Sequence, residues 1–263
     1  MDAFIIVPIL LGWLAGSFVN YTADVLPTTR RFSRPACPHC QTPFSLADYL
    51  SLRACRSCGK RRSLRTWLVQ ILAVASFLYF WSFPPQALGF WLGAIVLIYF
   101  GIITVIDLEH RLILHSTSLF GGVLGLTVGT YIYSTLLNYG LLASLGSSLL
   151  GGLIGFGVMF LLYQFGTIVA RLRARRLRAA GQADDEEEAL GGGDVYLLGV
   201  LGLMVGNMLI LNVLAWGVLL GGLVSLLFLA VILLRRRYSK DAFMNFIPYG
   251  PYFILAAFRV LFL

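Results

Sequence analysis

Asp107 ends the apolar run 88–106, and Asp194 follows Gly191-Gly192-Gly193 and opens the apolar stretch from Val195. A carboxylate at the edge of hydrocarbon is costly, which makes each an immediate candidate for function. Two carboxylates brought within a few ångströms cannot both ionise cheaply, so such a pair shares one proton. The ionised member takes a proton from water while the protonated member polarises a carbonyl. That is aspartic-protease chemistry, with no metal and no covalent intermediate. The competing reading is structural: Asp is favoured at helix starts by capping and by the helix dipole, and Asp194 suits that role. Gly191, Gly192 and Gly193 permit positive φ and close backbone approach, leaving room for an extended peptide to lie beside the loop.

The second chemical cluster is sulfur. Cys37, Cys40, Cys55 and Cys58 form a C-x2-C-x14-C-x2-C pattern, and they are all the cysteines of the chain. Each C-x2-C turn sets two thiolates on one tetrahedral metal, and two turns close the site with no position left for substrate. Structural Zn(2+) is the expectation. Two disulfides are the alternative, disfavoured for a loop in a reducing compartment. His39 lies inside a knuckle but is surplus to a four-thiolate shell. The insert is too short to build a large core, so the metal is expected to supply its folding energy.

The elements that must position these groups are membrane spans. The chain is 59% hydrophobic and 12% charged, with mean hydropathy +0.84; a soluble domain carries roughly 25% charged residues. The expected fold is an all-α polytopic membrane protein of about eight transmembrane helices with a small cytoplasmic zinc-binding insert. Spans are expected near 3–25, 67–83, 88–106, 117–135, 141–170, 194–206, 211–234 and 247–263, with the sixth short and the break near Gly206-Asn207 the least defined. This organises the chain as a first span (1–27), a four-cysteine loop (28–66) and a membrane domain (67–263) that carries both aspartates. The N-terminus lacks a basic n-region and reads as a retained span.

Charge placement supports eight crossings. Nine basic residues fall within 30–65, one at Arg111, five within 171–178 and four within 235–240, leaving only Arg259 elsewhere. Eight spans put all four clusters on one side, the cytoplasm by the positive-inside rule, and both termini outside. Asp107 and Asp194 then fall at similar depth on the cytoplasmic face. The net charge of +8 is thus a topology signal, and nucleic-acid binding is not expected.

Five segments in order resemble the prepilin peptidases, also called type 4 prepilin leader peptidases. Gly191-Gly192-Gly193-Asp194 resembles their GxGD motif. Gly16-Ser17-Phe18-Val19-Asn20 with Leu26-Pro27 resembles the end of their first span, and the four-cysteine loop follows in place. Ile106-Asp107-Leu108-Glu109-His110-Arg111-Leu112-Ile113 resembles the segment of their first catalytic aspartate, and Ile247-Pro248-Tyr249-Gly250-Pro251-Tyr252 their C-terminal proline-glycine motif. The resemblance implies an inner-membrane enzyme with Asp107 and Asp194 as catalytic pair. Its substrates would be type IV prepilins or pseudopilins, cut on the cytoplasmic side after a glycine, just before the hydrophobic pilin helix. Many members with the cysteine loop also methylate the new N-terminal amine, using S-adenosylmethionine.

The chain departs from the family pattern in places. Leu114 and His115 stand where Pro and then Asn or Asp are usual, Tyr196 where Lys is frequent, and Val25 where Arg is common. These changes bear on substrate contacts and on methylation. Outside the motifs, the glycines at 151, 152, 155 and 157 and at 199 and 202 are read first as close span packing and second as a homodimer seam. Asn20 and Asp24 are read as helix–helix hydrogen-bonding groups. The acidic run 184–188 is read first as a solvated linker and second as an attractor for a basic leader. Membrane lipid is the expected surround. The rival from another class is a transporter whose carboxylate pair binds a proton or cation, for which the cysteine loop is unexpected. A third reading is an assembly scaffold without activity.

Overall fold

The computed structural model describes residues 2–179, 191–234 and 248–263. The described elements are all helical: α1 (Asp2–Thr29), α2 (Leu46–Leu50), α3 (Leu64–Ser82), α4 (Gly89–His110), α5 (His115–Thr135), α6 (Leu141–Ala179), α7 (Gly192–Leu234) and α8 (Gly250–Phe262). Among them, Ile5–Thr29, Leu64–Ser82, Gly89–His110, Leu141–Leu172 and Gly192–Val231 are long and apolar enough to cross a membrane. α5 has 21 residues but is diluted by Gly, Ser and Thr, and α8 has 13. Leu119 (71% exposed), Leu142 (85%) and Leu161 (69%) point outward, a surface suited to lipid rather than water.

The chain divides into two compact units, Met1–His110 and Arg111–Leu263. In the first, α1 packs on α3 and α4. Ala15, Phe77 and Ala94 form the centre, with Leu11, Phe90, Leu97 and Ile98 around them. The helices approach closely because α1 presents glycine: a Cβ on Gly12 would lie 2.7 Å from the Val74 Cα. Gln70, fully buried, donates from Nε2 to the Trp13 carbonyl at 2.6 Å.

In the second unit α7 is the hub, packed by α5, α6 and α8. Gly151, Gly155 and Gly202 are consumed here. A Cβ on any of them would come within 2.3 Å of a carbonyl oxygen on the facing helix, so this stripe serves packing between α6 and α7 inside one chain.

The expected interruption between spans six and seven takes a different form. No loop separates them; α7 runs on across a sharp kink at Gly206 (φ 74°, ψ −179°). This conformation is essentially restricted to glycine. The kink frees backbone groups that hydrocarbon cannot satisfy, and other helices supply partners. Ser148 Oγ donates to the Leu203 carbonyl at 2.6 Å, and the Tyr133 hydroxyl lies 3.2 Å from Asn207 Oδ1 and 3.5 Å from the Met208 amide. A Cβ at 206 would sit 2.2 Å from the Tyr133 ring. Gly206→Ala is therefore expected to destabilise the second unit by about 3 kcal/mol or more. An unchanged thermal transition in detergent would contradict this.

Candidate functional site

The four cysteines converge. Their sulfur atoms all lie within 4.8 Å of one another, with Cys37 Sγ 3.7 Å from Cys58 Sγ and Cys40 Sγ 3.5 Å from Cys55 Sγ. All four are free thiols. A tetrahedral zinc with Zn–S of about 2.3 Å needs S–S edges of about 3.8 Å, so the quartet fits that ion. Two knuckles of the same build make it. The Cys37 amide donates to the Thr42 carbonyl at 2.9 Å and the Gln41 amide returns to the Cys37 carbonyl at 2.8 Å; Cys55 with Lys60 and Gly59 repeats both bonds at 3.0 and 2.8 Å. Gln41 (φ 58°) and Gly59 (φ 69°) take the same left-handed corner. Hydrogen bonds from the Thr42 hydroxyl and amide hold the Cys40 thiol down to about 6, favouring the thiolate a metal requires. His39 is exposed and outside the cluster.

The rest of the insert closes around α2. Ser45 caps it, accepting from the Asp48 amide at 3.1 Å and donating to Asp48 Oδ2 at 2.7 Å. Arg56 pairs with Asp48 at 2.7 Å, and this bond, with that of Ser45, holds the Asp48 carboxyl below its ordinary range. The Arg62 guanidinium lies over the rings of Phe44 and Tyr49, 4.0 and 4.2 Å from their centroids. Trp13 Nε1 on α1 donates to the Leu50 carbonyl at 2.9 Å, tying the insert to the first helix.

Asp107 sits in the last turn of α4 and is 5% exposed. Beside it the first unit holds a polar network that sequence reasoning only half found. Asn20 and Asp24 do hydrogen-bond across helices, as expected: Asn20 Nδ2 donates to the Thr66 carbonyl at 3.1 Å, and Asp24 accepts from the Tyr49 hydroxyl at 2.6 Å. The centre of the network is Arg65. It donates to Asp24 Oδ1, to Asn20 Oδ1 at 3.0 Å and to Glu109 Oε1 at 2.8 Å. The available signal was the last cation of the basic cluster opening one apolar run and an acid, Glu109, closing another.

Asp194 lies in the first turn of α7, which begins at Gly192; its amide donates to the Gly191 carbonyl at 3.1 Å. Asp194 is half-buried. Of the two freedoms that the glycines before it offer, close approach is the one used. None of the three has positive φ. Gly193 gives close approach instead, since a Cβ there would lie 2.8 Å from the Ile113 Cβ, whereas Gly192 meets open space. Of the departures from the prepilin-peptidase pattern, His115 and Tyr196 face each other edge-on with ring centroids 5.8 Å apart. Departures read separately in the sequence are thus one contact, two residues along α7 from Asp194. The acidic run 184–188 lies outside the described residues.

The comparisons with known proteins fit these elements. The profile of the "Type IV leader peptidase family" matches residues 91–226, just over half of the chain and including both aspartates. That of the "Bacterial Peptidase A24 N-terminal domain" matches residues 10–83, including the cysteine insert. Curated relatives named "Prepilin leader peptidase/N-methyltransferase" are 27% identical in Stutzerimonas stutzeri and 29% identical in Pseudomonas aeruginosa, each alignment covering 98% of this chain and 90% of the relative. A relative of the same name in Pectobacterium carotovorum subsp. carotovorum is 26% identical over 92% of this chain and 87% of its own length. No solved structure matches significantly. The chain belongs to the type IV leader peptidase family.

Proposed function

We propose that the chain is an inner-membrane aspartic endopeptidase that removes the leader of type IV prepilins or pseudopilins and then N-methylates the new terminus. The activity follows from family membership and from the shared name of its relatives. The single observation that carries the mechanism is the buried Asp107 at the end of an apolar helix, within the family-matched region that also holds the helix-starting Asp194. The pair shares one proton. The ionised carboxylate draws a proton from the attacking water, the protonated one stabilises the oxygen of the scissile carbonyl, and the proton passes to the departing amine as the tetrahedral adduct collapses.

We assign Cys37, Cys40, Cys55 and Cys58 as ligands of a structural zinc ion that supplies folding energy to the insert and no chemistry. S-adenosylmethionine is the methyl donor that an N-methyltransferase of this family would use. The topology we favour has eight crossings, with α7 contributing two on either side of Gly206 and 247–263 the last. It places both termini outside, and the insert and both aspartates on the cytoplasmic face. Functionally it divides into 1–27, 28–66 and 67–263. Purified protein incubated with a full-length prepilin tests the reading by mass spectrometry. Wild type should yield the leaderless product, and neither Asp107→Asn nor Asp194→Asn should. Cleavage surviving either change removes the dyad, and absence of cleavage by wild type removes the peptidase.

A further inference from the structure

Two charges of the Arg65 network stand at the helix end that electrostatics disfavours. Arg65 is in the first turn of α3, where the dipole repels a cation, and Glu109 is in the last turn of α4, where it repels an anion; Asp24 lies further in, five residues before the end of α1. Each placement alone is a cost. Together they cancel, because the start of α3 meets the ends of α1 and α4 and one guanidinium serves both carboxylates. The Arg65 and Asp24 side chains are 23% and 24% exposed and that of Glu109 36%, so the Asp24 pair is partly buried while the Glu109 pair lies nearer the surface. On the other side of Asp24, the Tyr49 hydroxyl brings in the cysteine insert at 2.6 Å.

Glu109 lies two residues after Asp107, about 200° around the helix, so its bond to Arg65 grips the side of the last turn opposite Asp107. We propose that Arg65 is a positioning residue. Through Glu109 it clamps the turn of α4 that carries Asp107, and through Asp24 and Tyr49 it ties that turn to the cysteine insert. The clamp gives the insert a route to the peptidase centre that needs no contact with substrate. This rests on the assignment of Asp107 as catalytic.

The test uses full-length protein in lipid nanodiscs, with hydrogen exchange of residues 105–110 and steady-state cleavage of a prepilin as paired readouts. Arg65→Gln should speed exchange in that turn about tenfold, equivalent to ~1.4 kcal/mol, and lower kcat about tenfold with KM within about twofold. Glu109→Gln should act alike, and the double variant no more than either single change, since both remove one clamp. Arg65→Lys should recover part of the loss, keeping the charge without the fork. Tyr49→Phe should loosen 45–51 and speed exchange in 105–110 by a smaller factor. Unchanged exchange in 105–110 for Arg65→Gln, or additive effects of the two Gln variants, overturns the proposal. Should Arg65→Gln fail to fold, unchanged exchange there in both Arg65→Lys and Tyr49→Phe overturns it. Cleavage by Asp107→Asn would remove the catalytic assignment while leaving the exchange result to decide the clamp.

Discussion

Asp107→Asn and Asp194→Asn are each expected to lower kcat by about 10⁴-fold or more, and the double variant to be no slower than the worse single one. The reason is that a shared proton needs two carboxylates. Asn cannot give up a proton to become the base, and the remaining carboxylate, alone, ionises and no longer donates to the carbonyl oxygen. The two groups act as one unit, and removing half of a unit costs nearly all of it. Binding of the leader should survive, because no contact to the leader is assigned to these carboxylates. A prepilin should therefore still copurify with either Asn variant, trapped and uncut. Loss of binding in step with cleavage would make the aspartates substrate ligands rather than a dyad. Strictly additive losses would make them two independent groups.

What could be read from residue order alone was whatever the surroundings force locally. Hydrocarbon forces about twenty apolar residues per crossing, so the long apolar runs stand out as helices, five of them long and apolar enough to cross a membrane. Two C-x2-C turns at this spacing bring four thiols together, so the cluster was legible down to its residues. What escaped is non-local. A break near Gly206-Asn207 was legible as an interruption of the pattern, but its form was not: the backbone groups the kink frees meet Ser148 and Tyr133, 55 and 75 residues away in sequence. The Arg65 network joins residues 41 to 45 positions apart. Positive φ was expected at Gly191, Gly192 and Gly193, three flexible residues in a row. Among the described glycines it falls instead at Gly59, Gly89 and Gly206, the last where tertiary packing demands it. The His115–Tyr196 contact teaches the same lesson: read singly, each is a departure, and only the packing of α5 against α7 makes them one feature.

Removing the metal should have the other large effect, confined at first to the insert. A four-thiolate zinc site contributes about 10–16 kcal/mol of apparent binding energy at neutral pH. The remaining ties of the insert are individually small. The Arg53 and Arg56 side chains that face the buried Asp48 are 70% and 75% exposed, so solvent screening weakens those ion pairs. The Ser45 cap adds about 1 kcal/mol and the Arg62 stack about 0.5–2 kcal/mol. These do not offset the backbone entropy of ordering some thirty residues at about 1 kcal/mol or more apiece. Cys37→Ser, Cys55→Ser or a strong chelator should therefore release about one equivalent of zinc and leave residues 36–62 exchanging like an unfolded chain, while the helical core of α1 and α3 stays protected. Cys37 and Cys55, the buried thiols of the two knuckles, should be less replaceable than Cys40 and Cys58. Protection of 36–62 that persists after the metal is gone would show that the insert folds on its own contacts, and zinc would then have to be sought as a functional rather than a structural ion. If the insert does unfold, Tyr49 leaves Asp24. Cleavage should then weaken without vanishing, because Arg65 still holds Glu109 and both aspartates remain.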